Sequence, residues 1–111
     1  MYQMQERLSV VLPTYNEREN IPLLLKELFS LDQPYEVEVL IVDDDSTDGT
    51  VDLVKHLAQK DSRIRLIRRL GRSGLASAIK EGLLSASGDI AVVMDADGQH
   101  RPKDVFNAVR Q

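Results

Sequence analysis

The sequence predicts an α/β fold, with a Rossmann-like, mostly parallel sheet and helices on both of its faces. Short β-branched apolar runs alternate along the chain with segments whose apolar residues recur at helical spacing. Strands that alternate with helices need right-handed crossovers, which produce parallel sheets covered on both faces. Polar segments directly follow three of the four predicted strands, which is typical of sheets that bind a ligand at the carboxyl ends of their strands.

The first half of the chain contains two predicted strands and the helix between them. Residues 8–12, LSVVL, form a strand that ends at Pro13. A helix follows from a cap at Asn20 to about Leu31, because the apolar residues between them recur at helical spacing. Residues 37–42, VEVLIV, form the second strand and run directly into three consecutive aspartates.

The second half continues the alternation and contains a second acidic segment. Asp48 is predicted to cap the second helix, which has an amphipathic pattern. A strand over 64–69 follows, and after a glycine-containing turn comes a third helix that has apolar residues from Leu75 to Leu83 on one face and is closed by Ser87 and Gly88. The fourth strand covers 90–94, and Pro102 begins a short final helix.

Composition limits the class of protein. The 111 residues carry a formal net charge of −4, which argues against a nucleic-acid partner because phosphate-backbone binding normally needs a basic face. No cysteine is present, so any metal must bind oxygen or histidine. The apolar runs are shorter than the roughly 18 residues of a membrane span. We therefore expect a single domain over 1–111, located in the cytoplasm.

The segment MDADGQH, residues 94–100, is the sharpest chemical signal. Asp95 and Asp97 leave a predicted strand with one residue between them, and Gln99 adds a third oxygen. Hard divalent cations prefer oxygen ligands, and Mg²⁺ in particular binds one or two carboxylates together with substrate phosphates. The segment is therefore a candidate cation site for a nucleotide diphosphate. The alternative is an acidic turn that caps the last helix.

Two further motifs, VVLPTYNE and VDDDSTDGT, extend this signal, and together the three segments resemble family 2 glycosyltransferases, which have the GT-A fold. The resemblance implies that Pro13, Tyr15 and Glu17 shape a nucleoside pocket, with Tyr15 packed on a uracil or guanine ring. It also implies that Asp43 and Asp44 accept hydrogen bonds from the base or ribose, which suits a carboxylate. For the two aspartates, the alternative is a solvated turn.

The resemblance also implies how the acidic segment is used. Asp95 and Asp97 would hold Mg²⁺ or Mn²⁺ on the donor diphosphate, with Asp95 also contacting the nucleotide sugar and Gln99 joining the metal ligands. The ion would neutralise the charge that builds on the leaving nucleoside diphosphate.

The pattern MDADGQHRP and the stretch GRSGLASAIKEGLLSASGD are similar to the enzymes of the family that transfer sugars to polyprenyl phosphates. The implied reaction is an inverting transfer from a UDP- or GDP-linked sugar to a polyprenyl phosphate, with peripheral contact at the inner membrane face. Arg72, in the basic cluster with Arg68 and Arg69, is a candidate ligand for the donor or acceptor phosphate. A solvated strand edge is the alternative for this cluster.

The resemblance extends from Leu8 to about Asn107, whereas a complete catalytic domain of this fold needs roughly 200 residues. We therefore expect the N-terminal, donor-binding half of a GT-A fold, without an identifiable catalytic base. An exposed sheet edge would favour a homodimer. One alternative is a nucleotide-sugar-binding module without turnover. Another is a receiver-type signalling domain, which is disfavoured because receivers place their acidic pair after the first strand.

Overall fold

Seven strands and helices alternate along the part of the chain that the computed structural model describes, namely residues 5–71, 73–97 and 102–103. The strands are β1 (Arg7–Thr14), β2 (Glu36–Asp44), β3 (Ile64–Arg69) and β4 (Ile90–Val93), and the helices are α1 (Ile21–Ser30), α2 (Thr50–Lys60) and α3 (Leu75–Ser85). The four strands are parallel and lie in the order β3-β2-β1-β4. The predicted α/β fold is therefore confirmed.

The predicted final helix falls largely outside the described residues. Pro102 and Lys103 are helical. None of the helices in the described ranges combines the length and apolar character that a membrane span requires. The cytoplasmic location stays a prediction.

Helices cover both faces of the sheet because successive side chains of each strand point to opposite faces. On one face, α1 and α2 pack on the strands and form the larger core. Its fully buried members include Leu8, Val10, Leu12, Ile21, Val39, Ile41, Val54 and Met94. On the other face, α3 packs through Ala78 on Val11, Leu40 and Val42. Gly82 brings α3 close to this face, since a β-carbon there would overlap the Val11 side chain.

Of the two predicted helix caps, Asn20 is confirmed in its position, whereas Asp48 is not the cap residue of α2. Asn20 is the N-cap residue of α1, but its side-chain amide donates to Glu17 Oε2 at 2.7 Å and caps no backbone group of the helix. The N-cap of α2 is Gly49, with a left-handed φ of 94°, rather than Asp48. Asp48 lies one residue earlier, and its carboxylate still accepts the backbone N–H of Thr50 at 3.0 Å.

A buried polar cluster joins three strands near the amino ends of the sheet. Glu38 Oε2 accepts hydrogen bonds from Ser9 Oγ at 2.6 Å, Ser87 Oγ at 2.7 Å and Ser87 N at 2.8 Å. Its other oxygen, Oε1, accepts one from Arg65 Nη1 at 3.1 Å. Burial by itself raises the pKa of Glu38, but these hydrogen bonds outweigh burial and lower the pKa to about 2.

Acid is expected to destabilise the protein through Glu38. The pKa of this group is about 2 in the fold and 4.5 ordinarily, so its contribution to stability is full above pH 4.5 and is lost as the pH falls towards 2. Glu38→Gln should lower the free energy of unfolding by roughly 2 kcal/mol near neutral pH and flatten its decline in acid. Urea unfolding at about pH 7, 5 and 3 measures both effects. Parallel pH profiles for the two proteins would contradict the assignment.

Candidate functional site

The parallel topology brings the polar segments of the sequence to one edge of the sheet. Thr14 at the end of β1 is in register with Asp43, and Asp44 at the end of β2 is in register with Arg69. On the other side of β1, Met94 N donates to Val11 O at 3.0 Å, so the chain beyond β4 also leaves the sheet at this edge. The motifs after the first, second and fourth strands therefore leave the sheet at a common edge.

A cavity of about 230 Å³ opens at this edge and is lined by Pro13, Thr14, Tyr15, Asp44, Leu75 and Ala78. Three of these residues, Pro13, Tyr15 and Asp44, are among those predicted for the nucleoside pocket. The lining combines an aromatic ring, aliphatic groups and one carboxylate. Such a lining suits a flat heteroaromatic ring that carries N–H donors, because the apolar groups cover its faces and the carboxylate accepts from its edge.

The cavity also has lining residues that the sequence analysis did not assign to it. Leu75 and Ala78 belong to α3 and were predicted only as members of an apolar helix face. Leu75 is 60% exposed, although an apolar helix face would be expected to bury it. The sequence could have indicated this role through the position of Leu75, which directly follows the glycine turn after β3. Residues at that position stand at the same edge of the sheet as the other strand ends.

Glu17 does not line the cavity. Its carboxylate accepts from Asn20 Nδ2 at 2.7 Å, and its backbone carbonyl accepts from the N–H groups of Asn20 and Ile21, each at 3.1 Å. Glu17 therefore holds the start of α1, and its predicted place in the nucleoside pocket stays a prediction.

Asp43 is completely buried and bonded to its own chain. Its Oδ1 accepts from Thr14 Oγ1 at 2.7 Å and Ser46 Oγ at 2.6 Å, and its Oδ2 accepts from Ser46 N at 2.9 Å. These bonds fix the end of β1 to the loop after β2. Asp43 thus has a structural role, and its predicted contact with the base or ribose stays a prediction.

Asp44 differs from its neighbour because it both lines the cavity and holds the loop before α3. Its Oδ1 accepts from Ser73 N at 3.0 Å, and its Oδ2 accepts from Gly74 N at 2.9 Å. The guanidinium Nε of Arg69 lies 3.8 Å from Oδ1. A carboxylate has about four lone-pair sites and can accept more than two hydrogen bonds.

Hydrogen bonds also join the loops around the cavity to one another. Asn16 N donates to Ser46 Oγ at 2.8 Å, and Asn16 Oδ1 accepts from Thr47 N at 2.8 Å. Asp45 Oδ2 accepts from Gly71 N at 3.1 Å. Asn16 and Asp45 both have left-handed backbones, with φ of 53° and 62°, which asparagine and aspartate tolerate better than most residues. Hydrogen bonds therefore join the loop after β2 to the loop after β1 and to the loop after β3.

The acidic segment follows β4. Asp95 is half-buried and Asp97 is exposed, whereas the predicted third ligand, Gln99, lies outside the described residues. Within those residues, no group of three or more carboxylate or histidine side chains is arranged to hold a metal. A cation that binds one or two carboxylates and completes its shell with phosphate and water does not need such a group. The role of Asp95 and Asp97 as ligands of such an ion stays a prediction.

The basic cluster after β3 divides into residues with different environments. Arg68 is exposed, whereas Arg69 is only 8% exposed and is bonded to protein groups. Arg69 is therefore not part of a solvated strand edge, and the phosphate contact of the cluster stays a prediction. The predicted phosphate ligand Arg72 lies outside the described residues.

Comparisons with protein families and with individual proteins identify relatives of this chain. The family model described as Glycosyl transferase family 2 matches residues 9–111. The chain is 44% identical over 97 residues to the dolichol-phosphate mannosyltransferase of Pyrococcus furiosus and 41% identical over 100 residues to that of Saccharomyces cerevisiae. Each alignment covers 87% of this chain, but the chain spans only 27% and 38% of the lengths of those two relatives.

A solved structure agrees with the fold as well. The mannosyltransferase PcManGT from Pyrobaculum calidifontis, in complex with GDP-Man and Mn²⁺, matches with a TM-score of 0.79 and 34% identity over 96% of this chain and 32% of that one. The likeness confirms the predicted GT-A type of sheet. Since the family model also matches from β1 to the last residue, the chain belongs to glycosyltransferase family 2.

Proposed function

We propose that this chain is the donor-binding part of an enzyme that transfers a sugar from a nucleoside-diphosphate sugar to a polyprenyl phosphate. The observation that carries the proposal is the cavity at the carboxyl ends of the strands, which Tyr15 and Asp44 both line. Asp95 and Asp97 follow β4 at the same end of the sheet. The relatives named dolichol-phosphate mannosyltransferase support this acceptor class. The PcManGT complex with GDP-Man and Mn²⁺ supports a guanosine donor and a divalent cation.

In this proposal the cavity receives the base of the donor. The Tyr15 ring packs against one face of the base, Pro13 and Leu75 enclose it, and Asp44 accepts from an N–H group on its edge. Because this carboxylate is held by two backbone N–H groups, it keeps its orientation before the ligand arrives.

Asp95 and Asp97 would hold a Mg²⁺ or Mn²⁺ ion together with the donor diphosphate, Gln99 would be a further ligand, and Arg72 would contact a phosphate. When bound, the cation stabilises the negative charge of the departing nucleoside diphosphate. A phosphate acceptor is largely ionised near neutral pH, because its second pKa is about 6. It therefore attacks the anomeric carbon directly, without a deprotonating residue, and the configuration at that carbon inverts.

Calorimetric titration with GDP and UDP, each with and without Mn²⁺, tests the donor site. The wild-type chain should bind GDP in a metal-dependent manner and more tightly than UDP. Asp97→Ala should weaken binding in the presence of Mn²⁺ by at least about tenfold, because one of two carboxylate ligands is lost. Asp52→Ala, which removes an exposed carboxylate from α2, is the matched control and should bind as the wild type does.

Two outcomes would contradict the proposal. One is the absence of nucleotide binding by the wild-type chain in every condition. The other is binding that is indifferent to both Mn²⁺ and Asp97→Ala, since the acidic segment would then have no part in holding the diphosphate.

A nucleotide-sugar-binding module without turnover is the second candidate function. It is favoured by the make-up of the described site, because the cavity and the acidic segment both serve the donor in this proposal. A transfer assay with GDP-mannose and a short-chain polyprenyl phosphate separates the two. Metal-dependent binding without formation of the glycosyl phosphate would support the module, and product formation would support the transferase.

A further inference from the structure

Arg69 connects three elements from a buried position at the end of β3. Its Nε lies 3.2 Å from Glu81 Oε2 and 3.8 Å from Asp44 Oδ1. Its Nη2 donates to Ser77 Oγ at 2.7 Å, and its Nη1 donates to the Gly74 carbonyl at 3.4 Å. One guanidinium therefore joins the end of β2 to the loop before α3 and to the first two turns of α3.

Arg69 and Asp44 hold the same short stretch of chain. Asp44 accepts the N–H groups of Ser73 and Gly74, while Arg69 donates to the Gly74 carbonyl. We call these two side chains and their bonds to Ser73 and Gly74 the Arg69–Asp44 clamp. Gly74 has a φ of 97°, and glycine has little conformational preference of its own. The clamp therefore contributes to the position of this stretch, together with the bonds of Gly71 to Asp45 and Ser73.

The clamp also determines where one side of the cavity lies. Leu75 directly follows Gly74, Ala78 directly follows Ser77, and both line the cavity together with Asp44. Since Leu75 is 60% exposed, its own packing does little to fix its position. Displacement of the start of α3 would therefore move two lining residues and release a third.

We propose that Arg69 is a positioning residue for nucleotide binding, which holds the start of α3 against Asp44 before the ligand arrives. The inference rests on the proposed function of the cavity. Arg69 does not line the cavity itself and acts through the residues that do. Its positive charge also lies beside the carboxylates of Asp44 and Glu81, so its removal takes away a counter-charge that both of them share.

Arg65 provides a matched control on the same strand. Its Nη1 lies 3.1 Å from Glu38 Oε1 on β2 and 3.1 Å from the carbonyl of Ser85 at the end of α3. It therefore joins the same two strands and the same helix as Arg69, but at the opposite end of the sheet. Arg65→Met removes a comparable connection without touching the cavity.

The first measurement is the dissociation constant of GDP in the presence of Mn²⁺ for Arg69→Met, Arg65→Met and the wild type. Arg69→Met should weaken binding by at least about tenfold, and Arg65→Met should stay within about twofold. Equal binding by Arg69→Met and the wild type would overturn the proposal. Equal weakening in both variants would also overturn it, because a general loosening of α3 would then be sufficient.

Amide hydrogen exchange of the unliganded proteins provides a readout that is independent of binding. In Arg69→Met, exchange should become faster at Ser73 and Gly74 while the β1 amides keep their protection. Unchanged exchange at both residues would show that Arg69 does not hold this stretch through the clamp. Should the wild type fail to bind nucleotide, the proposed function fails, whereas the exchange result still decides whether the clamp exists.

Ser77→Ala covers the case in which Arg69→Met does not fold. This variant removes a single hydrogen bond of the guanidinium from the exposed side of α3 and leaves the buried charge in place. It should weaken GDP binding by about threefold and accelerate exchange at Gly74, in the same direction as Arg69→Met. Wild-type values for both quantities would count against the proposal.

Discussion

Asp43→Ala is expected to lower the free energy of unfolding by about 3 kcal/mol, as measured by urea or guanidinium titration. The carboxylate is completely buried and accepts three hydrogen bonds, from Thr14 Oγ1, Ser46 Oγ and Ser46 N. Its removal leaves these donors without their acceptor next to a position that is completely buried. Hydrogen bonds to charged groups are among the stronger ones in proteins, so the loss exceeds that of a typical surface change.

Glu27→Ala is the control for this prediction, since Glu27 is an exposed acid of α1 and its removal should change stability by no more than about 0.5 kcal/mol. The same variants also decide between the two interpretations of Asp43. If Asp43→Ala were as stable as the wild type but had lost nucleotide binding, the predicted ligand contact would be its main role and the structural one would be wrong.

Gly88→Ala is expected to destabilise the fold by about 3 kcal/mol, because the new methyl group has no space. An added β-carbon would lie 2.6 Å from Ser9 Oγ, 2.8 Å from the Arg7 carbonyl oxygen and 2.8 Å from Ser9 N. Two of these atoms belong to the backbone of β1, which pairs with β2 on one side and β4 on the other and has little freedom to move. The third donates to Glu38, so its displacement would also disturb the buried polar cluster.

Gly82→Ala is the matched comparison for Gly88→Ala. Its β-carbon would meet the side chains of Val11 and Val42 rather than backbone atoms. We expect a smaller loss of about 1–2 kcal/mol. Thermal or chemical unfolding of both variants measures the difference, and a Gly88→Ala protein of wild-type stability would show that the turn before β4 can move away from β1.

The strand and helix pattern was predictable because each element follows a local rule. The run VEVLIV lies in the centre of a sheet that is covered on both faces, and the apolar residues of α1 recur at the spacing of one buried helix face. The common edge of the polar motifs was also predictable, since parallel strands end on the same side. These features need no knowledge of distant contacts.

The individual roles of neighbouring residues were not predictable in this way. Asp43 and Asp44 are adjacent acids in one motif, yet one bonds to Thr14 and Ser46 and the other to the loop before α3. Successive side chains of a strand point in opposite directions, and their partners are decided by what the fold brings there. Glu38 illustrates the same limit, because its partner Ser87 lies 49 residues away in the chain.

The helix caps were predictable in part, since their approximate positions follow from the sequence but their hydrogen bonds do not. Asn20 and Asp48 have the side chains that favour cap positions, and both lie at the predicted boundaries. Their actual hydrogen bonds depend on the backbone conformation of the loops, such as the left-handed conformation of Gly49, which the residue pattern does not specify.

The ion pairs of Arg69 and Arg65, which attach α3 at its two ends, differ in their exposure to solvent and dissolved salt. The Arg69 and Asp44 side chains are only 8% and 9% exposed, whereas the Arg65 side chain is 43% exposed. Dissolved ions screen exposed charge pairs far more than buried ones. A rise in ionic strength therefore weakens the attachment of α3 at the end remote from the cavity, while the end beside the cavity keeps its electrostatic attachment. The shape of the cavity should for this reason be less sensitive to the salt concentration of its surroundings than the stability of the protein as a whole.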